Sequence, residues 1–340
     1  MPLVPHAARR PLGLSPLASR DPERVGAYTL VGRLGAGRTG TVYAARGHDS
    51  QLFALRVFHP EFAEDPGFRA RLREEVAAVR QVSGPFVSRF LTADPQARAP
   101  WLATELVPGP TLGRWVEDRG PLTGAALVAL AAGTLDALRV LHERGVVHRD
   151  LKPGNVVLAP EGPKVLDPGI ARALDETVLT RTGGLSGDSG WIAPERYRNG
   201  ASTPGADVFA WGALMVLAST GREPFGTGKP QVVAGRVLWE EPDLEGVPAD
   251  LLPLVGAALA KDPERRPSAA ELLRALSEQG SADGSGSVAE GSAGAVALVG
   301  RGWRGFEELR SQGERRWRGT LVLAALACSL VLAGVVGALF

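Results

Sequence analysis

His148-Arg149-Asp150-Leu151-Lys152-Pro153-Gly154-Asn155 sets an acid, a lysine and an amide within six residues, between the β-branched apolar runs Val146-Val147 and Val156-Val157-Leu158. Such a stretch can place a carboxylate against a hydroxyl, a cation against a transferring phosphate, and an amide oxygen on a magnesium ion. No other stretch of the chain says as much about chemistry.

A second motif lies upstream. Gly35-Ala-Gly37-Arg-Thr-Gly40-Thr-Val42 fits G-x-G-x-x-G-x-V. The same glycine spacing opens dinucleotide-binding domains, but there it leads into a helix, whereas here Thr41-Val42-Tyr43 continues as a strand. A hairpin with three glycines can lie over a triphosphate and offer backbone N–H groups without side-chain obstruction. An ordinary glycine-rich turn is the plain alternative.

The 340 residues allow about two domains of ordinary size. Hydrophobic content of 44% and charged content of 22% are those of a globular protein. A net charge of +1 gives no reason to expect a nucleic-acid partner. Only four basic residues are lysine (152, 164, 229 and 261), and the first 150 residues hold none. The single cysteine, Cys328, cannot form an internal disulfide, which fits a reducing cytoplasm for the soluble part.

Residues 1–27 are rich in Pro and Arg and are expected to be a flexible tail. Residues 28–107 read mainly as strands at Tyr28–Val31, Thr41–Ala45, Leu52–Phe58 and Trp101–Val107, with one helix marked by Phe68, Leu72, Val76 and Val79. Residues 108–278 read as mainly helical. Leu127, Leu130, Thr134, Leu138 and Leu141 line one helix, and another begins near Asp207, capped by Thr203 with Pro204 beside it. A small β-rich half followed by a larger helical half is an α+β pattern.

Together these motifs resemble the eukaryotic-type protein kinases, most closely the membrane-anchored bacterial serine/threonine kinases. The resemblance covers about residues 28–278 and implies a bilobal fold, with an N-lobe at 28–107 and a C-lobe at 108–278. It implies ATP as the phosphate donor, with Mg²⁺ or Mn²⁺, and protein Ser/Thr hydroxyls as acceptors. By the same resemblance Asp150 is the base and Lys152 steadies the transferred phosphoryl group. Asn155 and Asp167, the latter in Lys164-Val-Leu-Asp167-Pro168-Gly169, would hold the metal. Gly35, Gly37, Gly40, Val42, Arg56, Glu75, Glu105 and Val107 would hold the nucleotide. Ala193-Pro194-Glu195, Asp207 and Arg266 match scaffold positions, with Arg266 paired to Glu195. Thr180 and Thr182 are the expected self-phosphorylation sites, with Arg149 as a phosphate partner.

Three positions depart from the family pattern. Arg56 stands where a lysine is usual, and Glu75 is its expected partner. Arginine keeps the charge but is longer, planar and forked. Pro168 replaces an aromatic residue, and Asp188 replaces a threonine, where a carboxylate would repel Asp150 and compete for Lys152. The expectation is therefore a protein kinase of reduced turnover. A pseudokinase, binding ATP or a partner and signalling by conformation, is the alternative.

Residues 279–319 are expected to be a linker. Its first part, 279–300, is rich in Gly, Ser and Ala. Its second part, 301–318, carries arginines around Trp303, Phe306, Leu309 and Trp317, and fits either a basic amphipathic segment at a membrane surface or a solvated linker. Leu321–Phe340 holds no charge; as a helix it would span about 30 Å, the thickness of a bilayer core. A single transmembrane helix over 320–340 is the expectation, and a buried core helix the alternative. Arg315, Arg316 and Arg318 then place the kinase region on the cytoplasmic side. No external sensor domain is expected beyond that run, and dimerisation within the membrane is left open.

Overall fold

The computed structural model describes residues 14–37, 39–48, 51–168, 188–279, 291–304 and 306. Strands β1 (Arg24–Val25), β2 (Tyr28–Gly37), β3 (Gly40–Arg46), β4 (Leu52–Phe58), β5 (Phe90–Asp94) and β6 (Trp101–Glu105) form one antiparallel sheet in the order β1-β2-β3-β4-β6-β5. Register opposes Tyr43 to Leu55 and Leu55 to Ala103, so these side chains share a face, where they pack with Leu30 and Trp101. The pairs one step along, Val42 with Arg56 and Arg56 with Leu102, share the opposite face. Leu102 packs there against Phe58, Phe68, Leu72 and Val76.

Those last three side chains belong to helix α2 (Pro66–Val79), which follows a short turn of helix, α1 (Pro60–Ala63). Asp65 caps α2 by accepting from the Gly67 amide at 2.8 Å, and Pro66 occupies the first turn, where its missing N–H costs nothing.

The second half is helical. It contains α3 (Leu112–Arg119), α4 (Gly124–Glu143), α5 (Pro194–Asn199), α6 (Pro204–Thr220), α7 (Pro230–Trp239), α8 (Leu252–Ala258), α9 (Ala269–Gln279) and α10 (Gly291–Gly302). A two-stranded hairpin, β7 (Val156–Ala159) with β8 (Gly162–Val165), lies against α4. Helices α4 and α6 form the centre of the core. Trp211 on α6 is fully buried and donates its indole N–H to Thr134 of α4 at 3.0 Å, so the one polar atom of the ring is satisfied. Among the described residues α4 alone is long and apolar enough to cross a membrane, and it is this buried core helix. The expected transmembrane helix at 320–340 lies outside the described residues.

Two boundaries differ from expectation. The tail expected over 1–27 is docked from residue 14 onward. Ser15 bridges Arg33, and Asp21 accepts from Arg33 Nε at 2.6 Å, Arg33 Nη2 at 2.5 Å and the Tyr43 hydroxyl at 2.9 Å. The Arg33 bonds, with help from the Ala18 amide and Tyr43, hold the Asp21 carboxyl well below the usual carboxylate range.

The linker expected over 279–319 is interrupted by α10, which packs along α4 and buries Ala295, Leu298 and Val299. Trp303 and Phe306 follow it into the core, 5% and 3% exposed, so neither the membrane-surface nor the solvated reading holds for them. Small residues here serve close packing: an added Cβ at Gly302 would overlap the Ala125 carbonyl.

Candidate active site

A cavity of about 560 Å³ lies between the sheet and the helical half. Of the residues expected to bind nucleotide, metal or substrate hydroxyl, all but Glu75 line it. The β2–β3 hairpin forms one wall. Its glycines divide by role. Gly40 is pressed against β4, where an added Cβ would overlap the Val57 carbonyl, whereas Gly35 has open space on its cleft side. His59 Nε2 ties the hairpin at the Gly37 carbonyl, 3.0 Å away.

The stretch His148–Asn155 is held from below. Asp207, at the start of α6, accepts from the backbone N–H groups of His148 at 2.7 Å and Arg149 at 2.8 Å, and lies 2.8 Å from His142 Nε2. Burial pushes the Asp207 carboxyl up, but these bonds and nearby imidazoles outweigh it and leave the group below its ordinary value. His148, fully buried, contacts the Leu166 carbonyl through Nε2 at 2.9 Å. Arg149 and Asp167 are the two described non-glycine residues with positive φ, at 67° and 50°. Both conformations are costly for a side-chain-bearing residue, and both sit where the loop meets the cleft.

Within the loop, Asn155 Nδ2 donates to the Asp150 carbonyl at 2.6 Å and to its carboxylate at 3.0 Å. Lys152 Nζ stands between two acids, 3.1 Å from Asp150 and 3.0 Å from Asp188. Burial alone would lower the Lys152 pKa, but the two carboxylates outweigh it and raise the group above its usual value. The competition for Lys152 anticipated from the sequence is thus present in the geometry.

The expected Arg56–Glu75 pair is not formed. Arg56 donates instead to the Asp167 carboxylate. Glu75, 6% exposed on α2, is paired with Arg149 at 3.2 Å. Both changes follow from shape: the long forked guanidinium of Arg56 spans the cleft, and the positive φ of Arg149 accompanies a side chain turned toward α2. Arg56 Nε is buried with no hydrogen-bond partner among the described residues. Pro168 is buried, and Thr180 and Thr182 lie outside the described residues.

Glu105 lines the cavity with its carboxylate held by Lys164 at 3.1 Å and by the Arg89 amide at 3.0 Å. Farther down, Arg266 binds Glu195 through two bonds of 2.7 and 2.8 Å, the pairing expected from the sequence.

Two features were not read from the sequence. Ala54 and Thr104 line the cavity wall beside Arg56 and Glu105, and their places in β4 and β6 were the available signal. A second, larger cavity of about 1150 Å³ opens from the first, sharing Lys152 and Asp188 and continuing past Trp191 to Glu223. Burial and the nearby Asp188 raise the Glu223 pKa. Only tertiary proximity to Asp188, 35 positions away in the chain, singles Glu223 out.

Comparison with known proteins agrees with this geometry. The protein kinase domain model matches residues 28–276. The probable serine/threonine-protein kinase PkwA of Thermomonospora curvata is 42% identical over 270 residues, covering 79% of this chain and 36% of the relative. Serine/threonine-protein kinase AfsK of Streptomyces coelicolor is 41% identical over 280 residues, covering 82% of this chain and 35% of the relative. The chain therefore spans about a third of the length of these relatives. Among solved structures, the PknI kinase domain of Mycobacterium tuberculosis superposes with a TM-score of 0.60 at 26% identity, covering 78% of this chain and all of that one. With its sheet-rich small lobe, helical large lobe and the loop from His148 to Asn155 set between them, the chain belongs to the protein kinase family, in its bacterial serine/threonine branch.

Proposed function

We propose that this chain is a serine/threonine protein kinase that transfers the γ-phosphoryl group of ATP to protein hydroxyls, with turnover restrained by Arg56, Pro168 and Asp188. The observation that carries this reading is the convergence of Asp150, Lys152 and Asn155 within hydrogen-bonding distance on one wall of a cavity whose facing wall is the glycine hairpin. The open space at Gly35 suits close approach of a phosphate to backbone, and the unpartnered Arg56 Nε is a buried donor lacking an acceptor.

In the proposed reaction the hydroxyl oxygen bonds to the γ-phosphorus, the bond to the ADP oxygen breaks, and the proton passes to Asp150. Lys152 offsets negative charge on the moving phosphoryl group. Asp167 and Asn155 offer hard oxygen donors of the kind Mg²⁺ takes alongside phosphates, and would hold it. When bound, that ion neutralises phosphate charge. Asp167 is shared with Arg56, so metal binding competes with an ion pair the protein already makes. The same pair favours the second reading, a pseudokinase that binds nucleotide or a partner without turnover.

The proposal includes a membrane anchor. The uncharged run Leu321–Phe340, preceded by Arg315, Arg316 and Arg318, supports a single span with the kinase region cytoplasmic.

Mg·ATP binding measured by thermal shift, alongside labelled-phosphate transfer to the protein itself and to a generic protein, tests the function. Asp150→Asn is the control. Transfer above the control is expected. Binding with transfer equal to the control would select the pseudokinase reading, and no binding would end the kinase reading together with the nucleotide-binding form of the pseudokinase.

A further inference from the structure

The family match ends at residue 276, yet the chain returns to the helical lobe at residues 291–306. At the start of this segment the Ser292 hydroxyl donates to the buried Asp136 carboxylate of α4 at 2.9 Å and accepts from Arg139 at 2.7 Å. At its end Gly302 meets the α4 backbone at Ala125. Beyond the helix, the Trp303 indole N–H donates to the Ala159 carbonyl at 2.7 Å. Phe306 stacks on Trp303, ring centres 4.1 Å apart, and lies 4.9 Å from the Trp115 ring of α3.

These two endpoints lie directly behind the cleft. Ala159 ends β7, the strand that starts at Val156 beside Asn155; its partner β8 leads within two residues to Asp167. The Leu166 amide closes that hairpin onto the Asn155 carbonyl at 2.8 Å. Trp115 sits on α3, whose capping residue Thr111 lines the cavity and bridges Val157. The next residue but one, Gly113, faces Pro153 of the catalytic loop. One aromatic pair thus touches the hairpin flanked by Asn155 and Asp167 and also the helix that follows the nucleotide-facing strand β6.

We propose that residues 291–306 form a latch that positions the β7–β8 hairpin and α3 for nucleotide binding, so that releasing it weakens Mg·ATP affinity without altering any residue of the cleft. The coupling rests on the nucleotide-binding reading above. Its mechanical part does not, because the contacts exist without nucleotide.

The test uses the full-length chain in detergent. Trp303→Phe keeps a six-membered ring but loses the pyrrole half of the indole with its N–H to Ala159. Phe306→Ala releases Trp115. Val296→Ala, at a half-exposed position of α10, is the control. Two quantities are measured for each variant: Mg·ATP affinity, and amide hydrogen exchange over 112–119 and 156–166 without nucleotide. The latch predicts faster exchange in both stretches and at least about fivefold weaker Mg·ATP binding for Trp303→Phe and Phe306→Ala, with Val296→Ala like wild type. Faster exchange confined to 291–306, or unchanged Mg·ATP affinity, overturns it. Wild-type protein that binds no Mg·ATP sinks the proposed function instead. Exchange alone then decides whether the segment positions the hairpin, by spreading into 156–166 or stopping short of it.

Discussion

The guanidinium of Arg56 on β4 donates to the carboxylate of Asp167, two residues past the end of β8. Both side chains are about four-fifths shielded from solvent, at 19% and 21% exposure. A cation that should face phosphate and an acid that should face metal therefore neutralise each other, and a nucleotide must compete with that pair. In a shielded site the departure of either partner leaves the other uncompensated, so the contact resists exchange. This is the physical basis for expecting restrained rather than absent turnover.

Asp188 is the second proposed restraint. It shares Lys152 with Asp150, and its carboxylate makes no capping bond to the short turn Ser189–Trp191 that follows it. Asp188→Thr is expected to raise phosphotransfer about three- to tenfold, ~0.7 to 1.4 kcal/mol of barrier, with little change in thermal stability. A fall in transfer would show that Asp188 assists the reaction.

The glycines of the hairpin should respond differently. Gly40→Ala drives a methyl group into the Val57 carbonyl and is expected to destabilise the small lobe by about 1–3 kcal/mol. Gly35→Ala meets nothing nearby in the free protein, so stability should stay within about 0.5 kcal/mol while Mg·ATP binding weakens. Thermal melts with and without Mg·ATP separate the two outcomes; equal melting temperatures for both free variants would contradict this division.

Acid should loosen the catalytic loop through Asp207. Its folded-state pKa is depressed, so its contribution is fully present above the ordinary carboxylate value near 3.9 and is lost as pH falls below it. Asp207→Asn is expected to lower stability at neutral pH by about 2–4 kcal/mol and to flatten the decline of stability on the acid side. Denaturant melts between pH 7 and the acid limit of solubility would check this. An Asp207→Asn protein with the wild-type acid profile would place the sensitivity elsewhere.

The main strands, α2, α4 and α6 were legible because their apolar residues recur with the period of the element they form, as with Phe68, Leu72, Val76 and Val79. Gly35, Gly37, Gly40, Asp150, Lys152, Asn155 and Asp167 were legible because each sits inside a motif of fixed spacing, whereas Ala54 and Thr104 belong to none. The partner of Glu75 was not, since it depends on the backbone of Arg149 at φ 67° and on the reach of Arg56, neither of which spacing encodes. Helix α10 is hidden because a stretch rich in Gly, Ser and Ala has the composition of a flexible linker. Ala295, Leu298, Val299 and Gly302 do recur at helical spacing, and the missing side chain of Gly302 lets α10 approach α4 closely. The docked stretch 14–27 was hidden by its Pro- and Arg-rich neighbours, although Asp21, Arg33 and Tyr43 hold it through side-chain bonds.

The central claim is that the site is built for phosphotransfer and held back by the Arg56–Asp167 contact. Arg56→Lys tests it most directly, by comparing the rate of γ-phosphoryl transfer from Mg·ATP with that of wild type and with Arg56→Lys in an Asp150→Asn background. A lysine keeps the charge but gives up the forked reach to Asp167. The account predicts a rise of about ten- to a hundredfold, ~1.4 to 2.7 kcal/mol, abolished by Asp150→Asn. A rate no higher than wild type, or one that Asp150→Asn leaves unchanged, would contradict it.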